Sequence, residues 1–210
     1  MKNYQAVFFD FDGVILDSVD VKTRAFETMF EAYGPEVQQQ VVQYHLENGG
    51  VSRFDKFRYY YENILNIKIN ENKLQELSKE FSDMVVQGVI DSPFIKGAYK
   101  TLNLLKERSI PSFVVSGTPH DEIDFIVKEK GLSDYFEEVH GSPRKKWDIS
   151  SEILERRGLD PVRCVFFGDA MSDYEAARKT GMAFYGIVPE GSPSPFPRDT
   201  TLSVNVFILD

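Results

Sequence analysis

Two carboxylates stand two residues apart in Asp10-Phe11-Asp12-Gly13, directly after the apolar run Ala6-Val7-Phe8-Phe9. A second pair, Asp169 and Asp173, comes after Arg163-Cys164-Val165-Phe166-Phe167 and a glycine. Ser116-Gly117-Thr118 follows the run Ser112-Phe113-Val114-Val115, and a basic pair, Lys145-Lys146, precedes a helical pattern. Carboxylates gathered in one crevice repel one another, and a divalent cation compensates them. Oxygen donors favour Mg²⁺ over zinc or copper, and the set has no Cys or His partner that would suit zinc. Of two aspartates so spaced, one can attack as a nucleophile, since aspartate forms acyl-phosphates. The other can exchange a proton with the leaving group. The Ser116 hydroxyl and nearby backbone N–H groups can hold phosphate oxygens at a helix start. A lysine can neutralise charge on a transferred group.

These residues act together only if the fold brings them together. The short apolar runs read as strands buried on both faces, and Phe184-Tyr185-Gly186-Ile187-Val188 is another. Helical patterns lie between them, marked by Ala98, Leu102 and Leu105, by Ile123, Ile126 and Val127, by Ile149, Ile153 and Leu154, and by Ala176 and Ala177. Alternating strands and helices predict an α/β fold, a doubly wound parallel sheet. Ligands of such sheets bind outside the carboxyl ends of the strands, which is where every residue named above falls. Residues 18–92 differ. Phe26, Met29, Phe30 and Tyr33 recur at helical spacing, then Phe54, Phe57, Tyr61 and Ile64, then Leu74, Leu77, Phe81, Met84 and Val85, with no convincing strand. A helical stretch of this length is too long for a loop. It predicts a small all-α domain (18–92) inserted into a sheet domain made of 1–17 and 93–210. Glu190 to Pro197 reads as a loop, and the tail after Gly191 resolves into no clear helix or strand.

The chain has 210 residues, 24 Lys and Arg against 33 Asp and Glu, and a formal net charge of −9. An acidic surface argues against a general nucleic-acid binder. A lone cysteine, Cys164, permits no disulfide within the chain and, mid-strand, should be buried and inert. There is no charged-then-apolar leader and no apolar run near 18 residues, so a soluble cytoplasmic protein without membrane contact is expected. Oligomeric state is silent in the sequence; a monomer is compatible with it.

Four segments carry a resemblance. FFDFDGVILDS is similar to the first motif of the haloacid dehalogenase-like (HAD) hydrolase superfamily, VVSGTP to its second, GSPRKK to its third and FFGDAMSDYEAA to its fourth, in the family's order. The helical stretch between the first two matches the cap of subfamily I, and the sheet domain its Rossmann-like core. The resemblance implies Asp10 as nucleophile and Asp12 as general acid/base, with the Asp12 backbone carbonyl on Mg²⁺. It also implies Ser116 and the Gly117 N–H as phosphate binders, Asp169 as a metal ligand and Asp173 as the second acidic position at the metal. The motif-three lysine is Lys146 or Lys145, and the distance back from Gly168-Asp169 favours Lys146.

Carbon–halogen-cleaving members lack the aspartate two positions after the nucleophile; Asp12 therefore favours phosphoryl chemistry. The segment GGVSRFDKFRYYYENIL resembles the cap of β-phosphoglucomutase, in which an arginine contacts a substrate phosphate, and Arg53 matches it. The hinge histidine of that mutase is replaced by Lys22, which reads here as a surface or hinge lysine. The expectation is a Mg²⁺-dependent phosphatase acting on a small phosphorylated metabolite such as a sugar phosphate. The rivals are a phosphomutase and a non-catalytic binding protein that kept the fold. Asp173 can equally be a helix cap. His45, His120 and His140 read as surface or packing residues, with His120 best placed to edge the site.

Overall fold

The computed structural model describes residues 4–206. Six parallel strands form one sheet in the order β3-β2-β1-β4-β5-β6. They are β1 (Ala6–Phe9), β2 (Ser112–Pro119), β3 (Glu138–Ser142), β4 (Cys164–Gly168), β5 (Ala183–Ile187) and β6 (Leu202–Ser203). The chain runs outward from β1 to β2 and β3, then returns to β4 on the other side of β1. The order reverses beside β1, and the crevice outside the carboxyl ends of β1 and β4 lies at that switch point.

Successive β1 residues point to opposite faces. Ala6 and Phe8 join a core formed with Ile149 and Ile153 of α7 (Lys146–Arg157) and Ala176 and Ala177 of α8 (Met171–Thr180). Val7 and Phe9 join the opposite core, with Leu102 and Leu105 of α5 (Ala98–Glu107) and Ile123 and Ile126 of α6 (His120–Glu129). The helices are thus divided between the two faces, as the alternating pattern predicts. Two strands escaped the sequence reading. β3 is a sheet edge, Glu-Val-His-Gly-Ser, half-buried over its first three residues and without an apolar run. β6 has two residues.

The helical stretch holds α1 (Val19–Met29), α2 (Pro35–Glu47), α3 (Arg53–Tyr59) with a π-turn over Tyr60–Ile64, and α4 (Glu71–Asp91). The sequence reading passed over α2, whose Gln-rich face dilutes the apolar period. In α4, Leu74, Leu77, Phe81, Val85 and Val89 are buried, whereas Met84 faces solvent. Phe26, Phe30, Phe57, Tyr60 and Phe81 form an aromatic cluster with ring centroids 4.3–6.4 Å apart. The buried apolar set continues from these rings through Leu16 and Val14 to Phe9. The chain enters and leaves this stretch side by side: Asp17 N–H donates to Pro93 O at 2.9 Å and Ile95 N–H to Ile15 O at 3.0 Å.

Phe8 is fully buried at the centre of the sheet, 4.9 Å from Phe113 and 6.3 Å from Phe166 between ring centroids. Phe8→Ala is expected to lower stability by roughly 3–5 kcal/mol in urea denaturation. A loss below about 1 kcal/mol would place Phe8 outside the close-packed core.

Candidate active site

The carboxyl ends of four strands, β1, β2, β3 and β4, build the site. Asp10 follows β1 directly. Its backbone N–H donates to Phe167 O at 2.9 Å, and its Oδ1 accepts from Phe11 N–H at 2.7 Å, so the carboxylate is fixed by main chain. Asp169 and Asp173 come from the β4–α8 turn, and carboxylate oxygens of Asp10, Asp169 and Asp173 lie within 4.8 Å of one another. Gly13 supports this crowding: it has φ +74°, and a Cβ there would sit 2.2 Å from Asp169 Oδ2.

Lys146, at the start of α7, reaches into the cluster. Its Nζ lies 2.9 Å from Asp10 Oδ2 and 2.6 Å from Asp173 Oδ1, and it is almost wholly buried. Lys145 is exposed at the N-cap of the same helix. Burial opposes the ammonium charge of Lys146, but Asp10 and Asp173 outweigh it and raise its pKa. Asp173 has two partners. One oxygen takes Lys146, and Oδ2 accepts from Ala170 N–H at 3.1 Å, capping α8. The cap reading and the site reading therefore both hold for Asp173. Its carboxyl is pushed up to about 7, by burial first, while Lys146 pulls the other way. Asp169 is raised further, by burial and by the charges of Asp10 and Asp173. No described residue gives the Asp169 carboxylate a hydrogen bond or an ion pair. One lysine against three crowded carboxylates leaves a charge deficit, and the all-oxygen donor set fits a hard divalent cation.

Asp12 belongs to a separate network. Ser18 Oγ donates to its Oδ1 at 2.6 Å, Lys22 Nζ pairs with its Oδ2, and Thr118 Oγ1 lies 3.2 Å from Oδ2. Lys22 also donates to Thr118 Oγ1 at 2.7 Å. Burial would raise the Asp12 carboxyl, but Lys22, Ser18 and Thr118 overcome it and hold the group below its ordinary value. Lys22 is therefore a cleft residue, contrary to the surface or hinge reading. The signal lay in its position, one turn after Ser18 on the helix that begins beside Asp12. Ser116 is buried, its Oγ accepts from Thr118 N–H at 3.1 Å, and Gly117 lines the cleft.

The helical stretch roofs this floor. A Cβ on Gly117 would lie 2.6 Å from Gly50 O, so only glycine admits the approach of the α2–α3 loop. Lys22, His45, Arg53, Lys56 and Phe81 line the cleft with Asp10, Asp12 and Asp169. Its enclosed volume is about 130 Å³. Arg53, matched in sequence to a phosphate-contacting arginine, is held by Glu122 of α6. Nη1 donates to Glu122 Oε2 at 2.9 Å, Nη2 pairs with Oε1, and Nη1 also donates to Ser82 Oγ at 2.7 Å. His120 is exposed at the start of α6, as its surface reading expects, and of the histidines it is His45 that lines the cleft.

The Lys22–Asp12 pair gives a pH signature. The stability Asp12 contributes is full above its ordinary pKa of 3.8 and is lost as pH falls through its lower folded value. Lys22→Met strands a buried carboxylate, a penalty of about 3–5 kcal/mol at neutral pH. Near pH 3, below the ordinary value of 3.8, the stranded Asp12 of Lys22→Met takes up a proton and sheds its charge penalty, and the gap should shrink. Urea denaturation of both proteins at the two pH values checks this; an equal gap at both would show that Lys22 does not act through the Asp12 charge.

Comparison with known proteins agrees with this geometry. The chain is 28% identical over 191 residues to the phosphorylated carbohydrates phosphatase of Thermotoga maritima, covering 88% of this chain and 85% of that protein. It is 25% identical over 182 residues to phosphoglycolate phosphatase 1 of Pseudomonas aeruginosa, covering 84% and 66%. In fold it resembles β-phosphoglucomutase from Clostridium difficile, with a TM-score of 0.70 at 19% identity over 88% of this chain and 85% of that one. A haloacid dehalogenase-like family hydrolase from Streptococcus pneumoniae gives 0.66 at 19%, covering 90% and 86%. The model of the haloacid dehalogenase-like hydrolase family matches residues 7–187, from the first strand to the end of β5, and the chain belongs to that family.

Proposed function

We propose that the protein is a phosphatase that hydrolyses a small phosphorylated metabolite through a phosphoryl group carried on Asp10. The observation that carries the reading is the Lys146-tethered cluster of Asp10, Asp169 and Asp173 at the switch point, with Asp12 two residues beyond Asp10 in its own network. The relatives named as phosphatases of phosphorylated carbohydrates and of phosphoglycolate support the reaction class.

Roles follow from position. Asp10 is held by main chain and by Lys146, so one oxygen is presented in fixed orientation for attack on phosphorus. Lys146 and the β2 loop, with Ser116 and the Gly117 N–H, hold the transferring phosphate. Asp12 moves the proton: it protonates the leaving oxygen and then deprotonates the water that hydrolyses the phosphoaspartate. In the ligand-free state Lys22 keeps Asp12 ionised. A phosphate entering the cleft offers Lys22 another anion, which frees Asp12 to carry a proton. Asp10, Asp169, Asp173 and the Asp12 carbonyl are the residues that would hold Mg²⁺, which would supply charge compensation to the phosphate oxygens. Residues 18–92 act as a cap domain over the core of 1–17 and 93–210, joined where residues 15–17 and 93–95 run side by side, and exclude water from the loaded site. No described helix is long and apolar enough to cross a membrane, which suits a substrate met in solution.

Incubation with a panel of phosphate esters and Mg²⁺ is expected to release phosphate. Chelation should abolish the release and Mg²⁺ restore it, and Asp10→Asn should lower kcat by more than about a thousandfold. Isomerised sugar phosphate without phosphate release would instead identify a phosphomutase, and near-normal turnover by Asp10→Asn would remove Asp10 from the nucleophile's role.

A further inference from the structure

Three cationic side chains from the helical stretch line the cleft, and two of them are already neutralised. Lys22 is paired with Asp12, and Arg53 is paired with both oxygens of Glu122. The third, Lys56, has no carboxylate partner among the described residues. Its Nζ lies 2.8 Å from His45 Nδ1 and 3.3 Å from His45 O, and 5.9 Å from the centre of the Phe26 ring. Only 3% of Lys56 is exposed. Burying an ammonium without a counter-charge is unfavourable, and proteins seldom keep one without a use for it.

The imidazole does not supply the missing charge. With an ammonium donating to Nδ1, His45 is the neutral tautomer carrying its hydrogen on Nε2. That Nε2 is buried and has no partner. Burial first, then Lys56 and Lys22, push His45 down to about 2, so it stays neutral. Lys56 itself is lowered to about 7, by burial first and then by Lys22, while Asp169 and Asp12 pull it back up. Lys56 lines the same cleft as Asp10, Asp12 and Asp169, and an anion seated there would complete the set.

We propose that Lys56, positioned by His45, is a specificity residue that binds a second anionic group on the substrate, a carboxylate or a second phosphate, at the end remote from the transferred phosphoryl group. The proposal rests on the phosphatase reading and deepens it. The reacting phosphate already has Lys146 and the β2 loop. Arg53, one turn earlier on the same face of α3, is occupied by Glu122, which leaves Lys56 as the buried cation on that helix free to take a ligand charge.

The test compares matched esters on the full chain. One pair is 2-phosphoglycolate against 2-hydroxyethyl phosphate, which differ in a remote carboxylate. The other is fructose 1,6-bisphosphate against fructose 6-phosphate, which differ in a remote phosphate. The wild type should prefer the charged member of at least one pair, and the pair that shows the preference names the anion. In Lys56→Met that preference, read as a ratio of kcat/KM, should fall by about tenfold to a hundredfold, the range for losing a charged hydrogen bond. Lys56→Arg should keep most of it. Lys56→Gln, which retains a donor for His45 Nδ1, is the second variant should the methionine chain not fold, with the same loss expected. No preference in either pair, or one that survives in Lys56→Met and Lys56→Gln, overturns the proposal. A uniform fall for both members of a pair does so too, because it would put Lys56 on the reacting phosphate. If no ester is hydrolysed, the phosphatase reading is what fails. Calorimetric titration of 2-phosphoglycolate and of fructose 1,6-bisphosphate into wild type and Lys56→Met then decides on Lys56 alone, and equal affinities for both ligands overturn it.

Discussion

The mutual repulsion of Asp10, Asp169 and Asp173 is the constraint around which the site is arranged. Three carboxylates within 4.8 Å, two of them buried and Asp169 partly exposed to the cleft, cannot all stay ionised without help. Lys146 supplies part of it, while burial and the neighbouring carboxylates still push Asp169 and Asp173 upward. The sheet topology creates the crowding. Because β1 and β4 are neighbours, their carboxyl-end loops must share one crevice. The glycine at position 13 permits that approach, and α8 begins at a cap whose carboxylate is also a member of the cluster. An energetically unfavourable charge arrangement persists because main-chain hydrogen bonds and two packed cores hold it in place, and such perturbed groups mark functional sites.

The helical stretch answers this negative floor with positive charge. Lys22, Arg53 and Lys56 all come from it, and each meets a different fate: one holds Asp12, one bridges to α6 and one is left without a counter-ion. This division separates tasks. Under the proposed function the Asp12 network sets the proton state and Lys56 stays available for a ligand anion, while the Arg53–Glu122 bridge ties α3 to α6.

Much of this was legible in the sequence, for physical reasons. Asp10, Asp12, Ser116, Asp169 and Asp173 each follow a strand buried on both faces, and such strands announce themselves as apolar runs. Their convergence then follows from the parallel topology alone. The turn that carries Lys146 could be located, but the choice against Lys145 needed the direction of the side chain. What stayed hidden are contacts between residues far apart in the chain. Lys22 meets Thr118 across 96 positions, and Arg53 meets Glu122 across 69. Nothing local to Glu122, on an ordinary amphipathic helix, signals an arginine partner. β3 was missed because an edge strand does not need an apolar run. His45 reads as a surface or packing residue, and packing is half of what it does: its ring lies tilted against Phe26, with centroids 4.9 Å apart, and it also holds Lys56.

The account stands on a covalent step at Asp10. The most direct measurement is mass spectrometry of peptides from enzyme mixed with a hydrolysed ester and Mg²⁺ and quenched in acid during turnover. The predicted result is a phosphoryl group on the peptide containing Asp10, removed by hydroxylamine and absent in Asp10→Asn. Phosphate release with no such adduct at any quench time, or an adduct on another residue, would contradict it.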